Sequence, residues 1–362
     1  MSVLTNRPVL RWLIPAAATV AVIGGGAALG KLAATAEPSL PPRTAAQLLV
    51  DLQTARLDGL SGTVVQRADL GLPALPTIAG QGPSDLASLA SGTHTLRVWY
   101  AGPDQARVAL LGTLGETDVI RNGRDLWVWS SQRNEARHKV LPVGHPEPGP
   151  LPSGLPSTPQ EAADQALAAI DPSTEVSVGR SATIAGRDAY ELVLTPRDRL
   201  SLVDQVRIAI DAAEHVPLRF EVFAEGTDKP AIEIAFTQVD FARPDPEQFA
   251  FSPPPGAKVA EGQQRPDVKQ HSSAARERRP EVESIGSGWT TVVVARTPQT
   301  SAGGDRGPAT AMLAGLPRVS GDWGSGRLLT SKLVSALLTD DGRLLVGAVR
   351  PDRLYEVARQ TR

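Results

Sequence analysis

Two hydrophobic periods alternate along this chain. Residues 44–57 place Leu48, Leu49, Leu52 and Leu57 mostly on one helical face, with Thr44 as N-cap and Gly59 as stop. Short strand-like runs follow at 60–67, 93–100, 105–111, 116–121, 124–130 and 136–141. Asn122-Gly123 between two of these runs is a strong hairpin signal, because both residues tolerate the positive φ that a tight turn demands. Thr158-Pro159-Gln160-Glu161 is a capping box that opens a second helix to Ile170, with Leu167 and several alanines on its apolar face. Residues 174–240 predict five more strands, with turns at 185–188, 211–215 and 225–229. Val206, Ile208 and Ile210 share a face, as do Leu218, Phe220 and Val222, and Ile232, Ile234 and Phe236. Such alternation predicts an antiparallel sheet with one buried face.

The C-terminal part is separate in pattern. Pro253-Pro254-Pro255-Gly256 opens a polar stretch, and 258–282 reads as a linker almost free of large apolar groups. Residues 283–362 predict a small α+β domain. It has a strand at 290–295, two more at 328–338 and 343–349 around Asp340-Asp341-Gly342, and a short helix from Pro351 to Ala358. The expected class is α+β: about ten antiparallel strands with two helices. One sheet curled as a half-barrel under a helical lid, or two sheets packed as a sandwich, would satisfy the pattern. One helix before the sheet and one midway favour the half-barrel, with small alanines leaving room for a cavity. The 25-residue excursion at 68–92, rich in Gly, Pro and Ser, is long for a loop within a compact domain.

Composition narrows the function classes. Of 362 residues, 41% are hydrophobic and 21% charged, enough for a sizeable core. The net charge of −2 excludes a strongly basic nucleic-acid footprint. No cysteine is present, which excludes disulfides, thiolate metal sites, a Cys nucleophile and a Cys-linked lipid anchor. Arg7 and Arg11 precede an uncharged run at 12–30, and Ala34-Thr35-Ala36 resembles a cleavage site. Residues 1–36 are thus a signal peptide or an N-terminal membrane anchor, and either reading puts the remainder outside the cytoplasm.

Catalytic signatures are absent from the sequence. The five histidines, at 94, 138, 145, 215 and 271, form no metal-binding spacing. There is no phosphate loop and no nucleophile elbow, and the Gly-rich stretch at 321–326 reads as a turn. The expectation is no catalytic residue, no metal and no cofactor. Trp99, Trp127 and Trp129 fit core packing, a cavity wall or rim, or a carbohydrate-stacking surface.

Several stretches resemble the LolA/LppX/RseB-like superfamily. Asp211-Ala212-Ala213-Glu214-His215-Val216-Pro217-Leu218-Arg219 resembles its strand–turn–strand, and Phe236-Thr237-Gln238-Val239-Asp240-Phe241 its penultimate strand. Phe249-Ala250-Phe251-Ser252-Pro253-Pro254-Pro255-Gly256-Ala257 resembles its closing motif. Leu60-Ser61-Gly62-Thr63-Val64-Val65 and Leu70-Gly71-Leu72-Pro73 resemble the first strand and loop of the RseB-type branch. The resemblance covers about residues 44–257, within a domain bounded at 37–257. It implies a non-enzymatic envelope protein with a half-barrel closed by helices over a hydrophobic cavity. Such a cavity would hold lipid or the acyl chains of a lipoprotein. The RseB-type two-domain plan implies a membrane anti-sigma factor as an alternative partner, bound through the C-terminal domain. Cavity candidates are Leu96, Val98, Tyr100, Val108, Leu110, Leu192, Ile208, Phe220 and Ile234, with Leu48, Leu52 and Leu167 in the lid. Lacking a lipobox cysteine, the chain would be held at the membrane by residues 12–30 if these are not cleaved.

Overall fold

The computed structural model describes residues 38–71, 91–113, 115–141, 172–261, 282–296 and 315–361. The N-terminal segment 1–36, the excursion at 72–90, the expected helix at 158–170 with Leu167, and most of the linker lie outside these residues. Among the described residues no helix is long and apolar enough to cross a membrane.

The first helix, α1 (Ala45–Thr54), begins at Thr44 as its pattern predicts. The Thr44 hydroxyl accepts the Gln47 N–H at 3.2 Å, and the Gln47 side chain accepts the Thr44 N–H at 2.9 Å. The helix ends at Ala55, four residues before Gly59.

Thirteen strands then form one sheet. They are β1 (Leu60–Ala68), β2 (Gly92–Tyr100), β3 (Gln105–Leu111), β4 (Glu116–Asn122), β5 (Asp125–Ser130), β6 (Glu135–Val140), β7 (Thr174–Val178), β8 (Ala182–Ile184), β9 (Arg187–Pro196), β10 (Val203–Asp211), β11 (Pro217–Ala224), β12 (Pro230–Asp240) and β13 (Lys258–Glu261). Their order is β13-β6-β5-β4-β3-β2-β1-β12-β11-β10-β9-β7, with β8 paired to β9. All pairs are antiparallel except β13 with β6. The count exceeds the expected ten because β8 and β13 are only three and four residues long, too short to show a period. Residues 258–261, which read as linker, are therefore a strand on the edge of the sheet.

Turn chemistry follows the residues. Gly123 has φ 61° between β4 and β5, and Ala185 and Gly186 have φ 52° and 78° between β8 and β9. The turn after β10 is organised by Asp211, whose side chain accepts the N–H groups of Ala213 and Glu214 at 2.9 and 2.7 Å and binds the Arg187 guanidinium.

A second sheet is formed by β14 (Val282–Ile285), β15 (Val292–Arg296), β16 (Arg318–Gly321), β17 (Gly324–Thr330), β18 (Ser335–Thr339) and β19 (Arg343–Gly347), in the order β14-β15-β19-β18-β17-β16. The helix α2 (Pro351–Gln360) packs on β18 and β19. Its Leu354 and Val357 join Val292, Leu337, Leu345 and Val349 in a core with no exposure at any of them. Trp323, in the Gly-rich turn, stacks on Tyr355 at 5.4 Å. The run 328–338, expected as one strand, is broken by a turn. The Ser331 hydroxyl accepts the Val334 N–H at 3.0 Å, and the Ser331 N–H reaches the Val334 carbonyl at 2.9 Å.

The two sheets meet at several points. Leu202 and Arg350 donate their N–H groups to Ala348 and Leu200 at 2.9 and 2.8 Å, and Lys332 donates to Leu70 at 2.8 Å. Lys332 pairs with Asp69 at 2.6 Å, and Arg350 Nε reaches Glu225 at 2.9 Å.

Candidate ligand-binding face

Strand register decides which side chains share a face, since directly opposed residues point the same way. Leu96 opposes Leu110, and Val98 opposes Val108. Val64 of β1 opposes Leu96, and Gln66 opposes both His94 and Ile234. Ile234 opposes Phe220, Phe220 opposes Ile208, and Ile208 opposes Leu192. Tyr100 lies two residues beyond Val98 on the same strand. All nine strand candidates therefore lie on one face, from β3 to β9. Val64, Val206, Val222 and Ile232 extend the same face, as do Val119 and Val128. The alternation of β10, β11 and β12 marked several of these within their own strands, but only the register joins them across strands.

Coverage of this face is uneven. On β9 and β10, α1 covers it: Leu48 is fully buried against Tyr190, Leu192 and Ile210, and Leu52 packs beside them. Tyr190 donates its hydroxyl to the Pro41 carbonyl at 2.9 Å, holding the chain that leads into the helix. Leu110 is buried, and Leu96, Val98, Tyr100, Val108 and Ile208 are half-buried. Phe220 and Ile234, in the centre of the sheet, are 36% and 41% exposed. The two side chains are cross-strand neighbours, so their exposure is one contiguous apolar patch. Gly62 faces the same side opposite Val98, and a Cβ there would come within 2.9 Å of the Phe236 ring, so glycine lets that ring lie close.

The other face differs in chemistry. Over β9 to β12 it is ionic: Arg219 lies between Glu191 at 3.0 Å and Glu221 at 3.2 Å, and Arg67 pairs with Glu233 at 2.8 Å. Burial pushes the Glu221 carboxyl up, the Arg219 charge pulls the other way, and the nearby Glu233 and Glu191 add to the rise. Over β3 to β5 this second face is aromatic. Trp127 and Trp129 pack on Phe251 at 5.3 and 5.9 Å, and Arg107 lies over Trp99 at 5.2 Å. Trp127 and Trp129 thus anchor the segment after β12, and all three tryptophans lie opposite the candidate face.

Other polar features are accounted for locally. His94 bonds the Ser91 carbonyl at 2.8 Å, and His138 bonds Asp125 at 2.7 Å while stacked on Trp127. A cleft of about 610 Å³ lies at the ends of β1, β2 and β12, and its Arg67, Glu233 and Asp69 are already ion-paired. Among the described residues no group of three or more His, Asp or Glu side chains is placed to hold a metal.

No family model matches this sequence, and no curated protein matches it. Solved structures do. The chain is similar to the MucA/MucB complex of Pseudomonas aeruginosa, at 16% identity over 87% of this chain and 96% of that one, with a TM-score of 0.42. It is similar to MucB, at 17% identity over 86% and 94%, with a TM-score of 0.37. It is also similar to the LolA superfamily protein NE2245 of Nitrosomonas europaea, at 16% identity over 58% and 99%, with a TM-score of 0.20.

Proposed function

We propose that this chain is an exported cell-envelope protein that binds lipid, or the acyl chains of a lipidated protein, on the apolar face of its large sheet, as carrier or sensor. The observation that carries this reading is the largely apolar face, interrupted at Gln66 and His94, with Phe220 and Ile234 left open at its centre while the reverse face is ionic and aromatic. An acyl chain needs no polar signature: each methylene it buries contributes about 0.8 kcal/mol. In this reading the face is the floor of a half-barrel cavity and α1 is part of its lid. Residues 1–36 deliver the chain across the membrane or hold it there. Solvent extraction and mass spectrometry of the purified full-length protein should recover lipid in near-equimolar amount. Recovery of none, together with no binding of added fatty acid, would retire the reading.

A second reading has its own observation. The outer face of the small sheet carries Val282, Val293, Leu338, Leu344 and Val346, and Val282 is 59% exposed. This surface suits a regulator that binds a membrane anti-sigma factor through its C-terminal domain. Calorimetric titration with the extracytoplasmic segment of such a factor tests it, and the double variant V282D/V293D should abolish the heat. Unchanged binding by that variant would exclude this surface.

A further inference from the structure

The large sheet does not complete its own apolar face. At the end of that face formed by Val203, Val222, Ala224 and Ala231, the contact is made by Leu333, 6% exposed, from the turn between β17 and β18. Trp289 packs against the same cluster, and its indole N–H donates to Thr174 Oγ1 at 2.8 Å. Thr174 shares its face with Val176, which opposes Leu194. Leu194 and Ile208 touch both this cluster and the one under α1. The open floor therefore begins at Phe220 and Ile234. A chain lying there and running along β12 passes the half-buried Ile232 and then meets the patch where Leu333 buries Val222.

We infer that Leu333 and Trp289 of the C-terminal domain form the end wall of the apolar face and set the length of acyl chain it accepts. The inference rests on the lipid reading above and adds to it a specificity determinant from the other domain. The wall is held in place. Lys332, next to Leu333, is fixed by its N–H to the Leu70 carbonyl and by its ammonium to Asp69. The Ser331 hydroxyl fixes the turn, and the backbone bonds from Leu202 to Ala348 and from Arg350 to Leu200 fix the domain beside it. A wall held at this many points has one position, which is what a length cut-off requires.

The test is a ladder of saturated fatty acids of increasing length, bound in competition with a fluorescent fatty acid by the full-length protein and its variants. L333A and W289A should each move the longest well-bound chain upward by about two to four carbons, the space a truncated side chain leaves. Short chains should bind within about twofold of wild type. W289F keeps a ring in place and should stay near the wild-type cut-off. If L333A does not fold, W289A carries the test, since Trp289 is only partly buried; thermal unfolding of the same samples reports this. An unchanged cut-off in L333A and W289A, with wild type binding, overturns the wall and leaves the lipid reading standing. Equal loss at every length also overturns it, because that is destabilisation alone. No binding by wild type at any length overturns both.

Discussion

The two sheets handle an apolar face in opposite ways. The small sheet turns Val292, Leu337 and Leu345 inward, and one ten-residue helix seals them with Leu354 and Val357. The large sheet has more than twice as many strands, and its α1 is also ten residues long. A helix about 10 Å across covers roughly two strands spaced about 4.8 Å apart. On the small sheet the helix packs on β18 and β19, and Trp323 stacked on Tyr355 completes that core, whereas on the large sheet α1 reaches the β7, β9 and β10 end and leaves the middle strands uncovered. Leu333 and Trp289 cover one end, and Phe220 and Ile234 stay open. A closed face contributes stability, whereas an unfilled one is surface that a ligand can bury without unmaking the fold.

The sharpest way to break this comparison is to hollow the closed face. L337A should cost about 2–5 kcal/mol, because Leu337 is fully buried and the cavity left behind adds to the lost transfer energy. Denaturant unfolding of the full chain measures it, and a loss below about 1 kcal/mol would mean that this core is not sealed. L48A should cost a similar amount, marking the part of the large face that α1 does close.

A smaller effect is expected at the Asp211 turn. Burial opposes ionisation of this carboxyl, but the Arg187 guanidinium and the N–H groups of Glu214 and Ala213 together hold it below the usual value of 3.8. Its stabilisation is thus complete above the ordinary aspartate pKa and is lost as pH falls through the depressed one. D211N should cost about 1–3 kcal/mol at neutral pH and flatten the acid side of the stability profile. Glu221 should act with the opposite sign. Its carboxyl is raised by burial, so its contribution falls as pH climbs from 4.5 through the raised value, and E221Q should remove that slope.

The open face should separate stability from binding. F220A and I234A should each cost about 1–2 kcal/mol, less than L337A, since both residues are 36–41% exposed and Leu337 is fully buried. The double variant should nonetheless weaken fatty-acid binding about tenfold. A large stability loss with unchanged binding would make this face ordinary core. The smallest effect is expected at the rim between the sheets. Lys332 hydrogen-bonds Asp69 and lowers its pKa. That pair should persist as pH falls past the ordinary aspartate value and break only through the depressed one. D69N should leave unfolding at neutral pH unchanged within error, because the pair is exposed to solvent.

Much of this was legible in the residues. Thr44 with Gln47 marked the start of α1, and Asn122-Gly123 and Asp340-Asp341-Gly342 marked hairpins that form. The alternation of Ile208, Phe220 and Ile234 with polar neighbours marked one face in each strand, and the register puts those faces together. Other features were not legible for definite reasons. β8 and β13 are shorter than a detectable period. The break at 331–334 depends on one Ser331 hydroxyl inside an apolar run. The tryptophans share a strand face with one another, but nothing local says that Phe251, far along the chain, will meet them.

The sequence by itself determined the strands, the turns and the two sides of each strand, because φ preferences and period-two alternation act between near neighbours. Only the tertiary structure decided that β1 sits between β2 and β12, that this joins the apolar sides into one face, and that Leu333, from beside the second sheet, packs against its end. Those pairings link residues distant in the chain, and they are selected by the burial of whole faces rather than by any local preference.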